Sequence, residues 1–126
     1  MKRGDIWWTP CDFAFEDDLW QGTSRPVALL SSGDAPEVRA MWIVAPAKGD
    51  IRGLVVELTV GREEGLPRDG VLRVALPQPG HILCDWLTTL ESNDLLERAG
   101  ALSHAKIRQL EENLRSARID PSRWAG

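Results

Sequence analysis

Two short apolar runs, VALL over Val27–Leu30 and MWIVA over Met41–Ala45, constrain the fold more than any other feature of this chain. Neither contains a charged position, and the intervening SSGDAPEVR supplies the Gly, Asp and Pro chemistry of turns. Runs of four or five apolar residues bounded by turns read as central strands buried on both faces. The chain has 126 residues and is 43% hydrophobic, so it can close one compact domain over 1–126 around these strands and is too short for two ordinary ones.

The remaining segments fit around that centre. Asp5 to Thr9 predicts a first strand, rich in Ile and Trp and ended by Pro10, and a polar loop follows from Cys11 to Ser24. In LVVELTV, residues Val56, Leu58 and Val60 alternate with Glu57 and Thr59, the pattern of a strand with one face buried. GREEGLPRDG reads as a loop and VLRVAL as a further alternating strand. HILCDWLTTL then places Ile82, Cys84, Trp86 and Thr88 on one face and Asp85 and Leu87 on the other. Ser92 to Arg98 predicts a short helix closed by Gly100. A longer amphipathic helix begins after Ser103, with Ile107, Leu110, Leu114 and Ala117 in one stripe. The sum is a mainly β chain with some α (α+β): a small curled antiparallel sheet or barrel carrying a C-terminal amphipathic helix.

Composition narrows the chemistry. A net charge of −4 argues against capture of nucleic acid by a bulk positive field and leaves room for a local basic site. Only Cys11 and Cys84 are present, with His81 and His104 as the only histidines, so neither a disulfide framework nor a metal site is expected. No stretch has the length of a signal segment or membrane span, which predicts a cytoplasmic protein with no membrane partner. There is no phosphate-binding glycine loop, nucleophile elbow or paired-histidine motif, so no cofactor is expected.

What is left is a set of polar groups at strand ends. Gln21, Ser24 and Arg25 precede one central strand, Lys48 follows the other, and Asp85, Thr88 and Thr89 share a third segment. Pro26 pushes the preceding residue toward an extended conformation, so Arg25 enters the sheet with a defined direction and can present a rigid fork to a phosphate. A structural ion pair with a loop carboxylate such as Asp18 is the other use of that guanidinium. Asp85, amid Leu83, Cys84, Trp86 and Leu87, would be partly desolvated and needs a partner: it is either a base beside a bound phosphate or a structural hydrogen-bond acceptor. Of six tryptophans, Trp42 and Trp86 fall in strand patterns, whereas Trp20, beside Arg25, is the one expected at a ligand.

Taken in order, RGDIWW, QGTSRPVALLS, IVAP, CDWLTTL and GALSHAKIRQLEENL resemble the MazF/PemK/Kid family of toxin endoribonucleases over nearly the whole chain. The resemblance implies a small SH3-like barrel or sheet with a C-terminal helix, a homodimer, a cognate antitoxin as protein partner, and growth arrest through metal-independent, sequence-selective cleavage of single-stranded RNA such as mRNA. Arg25 matches the family's arginine and would stabilise the transition state, and Asp85 matches the aspartate that takes the 2′-hydroxyl proton. Trp20, Gln21, Ser24, Lys48, Thr88 and Thr89 would then line the RNA site. The chain departs from the family where Trp20 replaces a glutamate, Lys48 a hydroxyl residue and Leu83 an arginine, and VLRVALPQPG looks like an extra hairpin. These departures keep open a noncatalytic toxin similar to CcdB, which targets DNA gyrase, and a degenerate member that only binds a protein partner.

Overall fold

The computed structural model describes residues 2–11, 20, 24–31, 36–46, 55–76 and 87–117. Seven strands and one α-helix follow in the order β1 (Asp5–Pro10), β2 (Ser24–Leu29), β3 (Glu37–Val44), β4 (Val55–Val60), β5 (Gly70–Ala75), β6 (Leu87–Glu91), β7 (Glu97–Ala101) and α1 (His104–Ser116). Short 3-10 turns at Arg62–Glu64 and Ser92–Asp94 join β4 to β5 and β6 to β7. The strands run β4-β5-β3-β2-β1-β7, with β6 paired to β3, and every pairing is antiparallel.

The two apolar runs are the centre of this sheet. Val27, Ala28, Leu29 and Leu30, and Met41, Trp42, Ile43 and Val44, are all buried. On one edge β3 pairs with β2; on the other, Glu37–Met41 pair with β6 while Ile43 and Val44 pair with β5. One strand is thus shared between two sheet segments, and the sheet must curl around it. β3 also begins earlier than its apolar run, because EVRA alternates exposed and buried positions as an ordinary half-covered strand does.

The two faces bury separate cores. Ile6, Ala28, Met41, Ile43, Leu58, Leu72 and Val74 belong to the side on which α1 packs through Leu110 and Leu114. Val27, Leu29, Val38, Ala40, Trp42, Val44 and Val71 belong to the other. The helix starts as its sequence predicts: the Ser103 hydroxyl accepts from the Lys106 amide at 3.2 Å, satisfying one of the free first-turn donors. Full burial of a leucine is worth about 1.5–3 kcal/mol, so Leu110 and Leu114 supply most of what holds α1 down. Two contacts orient it. Arg3 meets Glu111 at 2.7 Å, and Lys106 donates to the buried Glu64 at 3.0 Å.

Two expectations are corrected here. The segment Ser92–Arg98 is not a helix: after the Ser92–Asp94 turn the chain extends into β7, where Arg98 faces Trp7 and Glu97 faces Trp8 across the β1 ladder. Gly100 is accordingly no helix cap. It is a strand residue over which the Glu64 carbonyl passes so closely that a Cβ would stand 1.6 Å from the oxygen. VLRVAL, which the sequence suggests as an extra hairpin, is a strand of the sheet. As β5 it fills the sheet between β4 and β3, with Leu72 opposite both Leu58 and Ile43. The PQPG that follows lies outside the described residues.

Among the described residues no helix is long and apolar enough to cross a membrane.

Candidate functional site

Strand alternation decides which polar side chains share the face opposite α1. On β2, Arg25 has the parity of Val27 and Leu29, so it lies on that face, two residues along from Val27. Val27 pairs with Trp42, so stepping back to Arg25 moves toward the Val44 end of β3. Arg25 is 3% exposed and its Nη1 donates to the Ser24 carbonyl at 3.2 Å. Across the ladder stands Thr9, whose hydroxyl donates to the Asp94 carbonyl at 2.9 Å. Ser24, half-buried, opens the same strand opposite Pro10. A cation this deeply buried is held by surrounding structure rather than by solvent, which preserves its direction.

Arg73 is a second buried arginine on the same face, and the sequence reading missed it. Its neighbours Leu72 and Val74 belong to the helix side, so Arg73 points the other way, as does Glu57 between Val56 and Leu58. The register sets Glu57 opposite Arg73, and Arg73 Nε donates to Glu57 Oε2 at 2.9 Å. Arg73 Nη2 reaches on to the carbonyl of Ala45, just past the end of β3. Opposite charges in EL and LR at the polar positions of two neighbouring alternating strands were the available signal; only the register pairs them. Arg25 and Arg73 therefore approach the same end of β3 from its two flanks. Two strand spacings and a two-residue offset along β3, roughly 12 Å, separate their backbones. Trp7, diagonal to Arg25, adds a buried indole N–H with no hydrogen-bond partner among the described residues.

The other expected site residues divide. Thr88, opposite Ala40, shares the Arg25 face, whereas Thr89 lies on the reverse, exposed, where it accepts from Arg39 Nη1 at 2.6 Å. The two threonines do not line one groove. Trp20 is corrected outright: it is 5% exposed in the helix-side core, its Nε1 donates to the Ile43 carbonyl at 2.9 Å, and its ring meets Trp8 edge-on with centroids 5.7 Å apart. Its polar atom is consumed inside the protein, so it is not a stacking platform for a ligand. Gln21, Lys48 and Asp85 lie outside the described residues, as does Asp18. Among the described residues no three His, Cys, Asp or Glu side chains are grouped to hold a metal ion.

A family model described as PemK-like, MazF-like toxin of type II toxin-antitoxin system matches residues 2–117. The chain belongs to this family. Among solved structures, the Mycobacterium tuberculosis toxin MazF-mt6 has the same fold, with a TM-score of 0.61 and 20% identity over 92% of this chain and 98% of that one. No curated protein matches the sequence. In this PemK/MazF-like toxin the curled sheet with one C-terminal helix is the family fold, and the polar features that distinguish its helix-free face are Arg25, Thr88 and the Glu57–Arg73 pair.

Proposed function

We propose that this protein is a metal-independent endoribonuclease that cleaves single-stranded RNA in the cytoplasm as the toxin of a toxin–antitoxin pair. The observation that carries the reading is Arg25: a buried guanidinium at a strand end, on the face opposite the helix, in a chain of the PemK/MazF-like family. RNA carries its own nucleophile. The ribose 2′-oxygen attacks the adjacent phosphorus, the bond to the 5′-oxygen breaks, and the products are a 2′,3′-cyclic phosphate and a 5′-hydroxyl. The protein needs to supply a base for the 2′-proton and cations for the phosphate oxygens, on which charge grows in the transition state.

Arg25 serves as that cation, with its direction set before substrate arrives. The base is a carboxylate, for which the sequence nominates Asp85. Thr88 offers a hydroxyl along the same face, and Gln21 and Lys48 extend the RNA-contacting surface as the family resemblance implies. The protein acts as a homodimer, and its antitoxin inhibits by laying a polypeptide segment over the Arg25 face in competition with RNA.

The test is cleavage of a mixed panel of single-stranded RNAs in the presence of EDTA by wild type, Arg25→Lys and Arg25→Ala. Wild type cleaves. Arg25→Ala loses about 100- to 1,000-fold in rate, the usual cost of one transition-state donor, and Arg25→Lys retains part of the activity because the charge remains without the fork. Thermal melting separates loss of chemistry from loss of fold. A wild type inert toward the whole panel contradicts the proposal.

A further inference from the structure

Resting on the ribonuclease reading, we infer that Arg98 binds a phosphate of the RNA strand on the face that carries Arg25, and that a β-bulge in β7 aims it there. β7 pairs with β1 through Ile6–Gly100 and then through Trp7–Arg98, which leaves Ala99 as an extra residue without a partner on β1. An extra residue reverses the facing of everything before it. An unbroken ladder from Ile6–Gly100 would set Ala99 opposite Trp7 and send Arg98 to the helix side, opposite Trp8. With the bulge, Ala99 packs against the helix-side core and Arg98 stands opposite Trp7, which packs against the other core. The ion pair agrees with that placement: Arg98 Nη2 lies 3.5 Å from Oδ1 of Asp5, which shares the face of Trp7 on β1.

The bulge is held from outside the ladder. The Arg62–Glu64 turn lies against it so closely that a Cβ on Gly65 would stand 2.2 Å from the Ala99 carbonyl oxygen. What the bulge delivers is one more cation for the helix-free face. Trp7 pairs with Val27 on its other side, and Thr9, two residues on, pairs with Arg25. Only β1 separates the two arginines, and two strand spacings with a two-residue offset set their backbones roughly 12 Å apart. Arg98 therefore meets a phosphate further along the strand than the one Arg25 serves. Its side chain is 53% exposed, whereas Arg25 is buried, so Arg98 engages RNA from solvent and Arg25 acts at the bond that breaks. Asp5 does not exhaust it: a guanidinium has five donors, and the other Asp5 oxygen accepts from the Lys2 amide at 3.0 Å. In a chain of net charge −4, affinity for RNA depends on such local cations.

The experiment takes a single-stranded RNA that wild type cleaves in EDTA and measures single-turnover cleavage against protein concentration. Binding of the same strand, with a 2′-deoxynucleotide at the cut position, is measured alongside from about 50 to 200 mM salt. Arg98→Ala is expected to raise the half-saturating concentration about three- to tenfold and to keep the saturated rate within about twofold of wild type, the reverse of the split expected for Arg25→Ala. Each phosphate contact on a single strand adds about −0.7 to the slope of log affinity against log salt, so the slope becomes shallower by that amount in Arg98→Ala and is kept in Arg98→Lys. Arg108→Ala, which removes an exposed arginine from α1 across the sheet, leaves both readings at the wild-type value. Should Arg98→Ala melt far below wild type, Arg98→Gln, which keeps a donor for Asp5, carries the same expectation. Wild-type binding with an unchanged salt slope, or a lost saturated rate with binding intact, overturns the assignment of Arg98 alone; a wild type that cleaves no strand of a mixed panel overturns the ribonuclease reading with it.

Discussion

Lys106 Nζ lies 3.0 Å from Glu64 Oε2, joining the first turn of α1 to the turn after β4. The carboxylate does two things at once: its other oxygen accepts from the Gly61 amide at 2.7 Å, which closes the Arg62–Glu64 turn on itself. Glu64 is buried whereas Lys106 keeps about a quarter of its surface in water. The two truncations are therefore unequal. Lys106→Ala removes one partner of a partly solvated pair and is expected to cost about 1–2 kcal/mol, whereas Glu64→Ala also strands a buried amide donor and is expected to cost about 2–4 kcal/mol. Urea denaturation of the two variants reads the difference, and equal losses would contradict the double role of Glu64.

Gly100 is the point where β7 passes under that same turn. A Cβ there would overlap the Glu64 carbonyl oxygen, which is backbone and cannot rotate away. Gly100→Ala is expected to lower stability by about 2 kcal/mol or more, as overpacking does where nothing flexible can yield. Were position 100 the end of a helix instead, alanine would cost far less, so the denaturation midpoint of this one variant distinguishes the two structures.

Trp20 owes its place to one hydrogen bond and one ring contact. Trp20→Phe keeps an aromatic ring in the core but leaves the Ile43 carbonyl without its indole donor. A loss of about 1–3 kcal/mol is expected, the cost of an abandoned buried polar group. Wild-type thermal stability in this variant would show that the Ile43 carbonyl finds another donor.

How far the sequence revealed this molecule depends on whether a residue's environment is set by its own segment or by another. The central strands and α1 are local: unbroken apolar runs and the stripe from Ile107 to Ala117 carry their own periodicity. Glu97–Ala101 is not local. Its residues have no strong strand preference, and it extends because β1 offers a free edge to pair with. Trp20 sits near Arg25 in sequence yet belongs to the opposite face, since the hydrogen bond to Ile43 draws it to the helix side. Arg25 was legible because Pro26 marks its backbone. Glu57 and Arg73, 16 residues apart, become a pair only through the β4–β5 register, which no single segment encodes.

The central claim is that the RNA's own 2′-oxygen is the nucleophile and that the protein supplies positioning, a base and charge. The most direct measurement is the chemistry of the cut ends, with EDTA present, on a cleaved RNA and on the same strand carrying one 2′-deoxynucleotide at the scissile position. The account predicts a 2′,3′-cyclic phosphate and a 5′-hydroxyl from the first and no cleavage at that position in the second. A 5′-phosphate product, or undiminished cleavage of the deoxy-substituted strand, would contradict it.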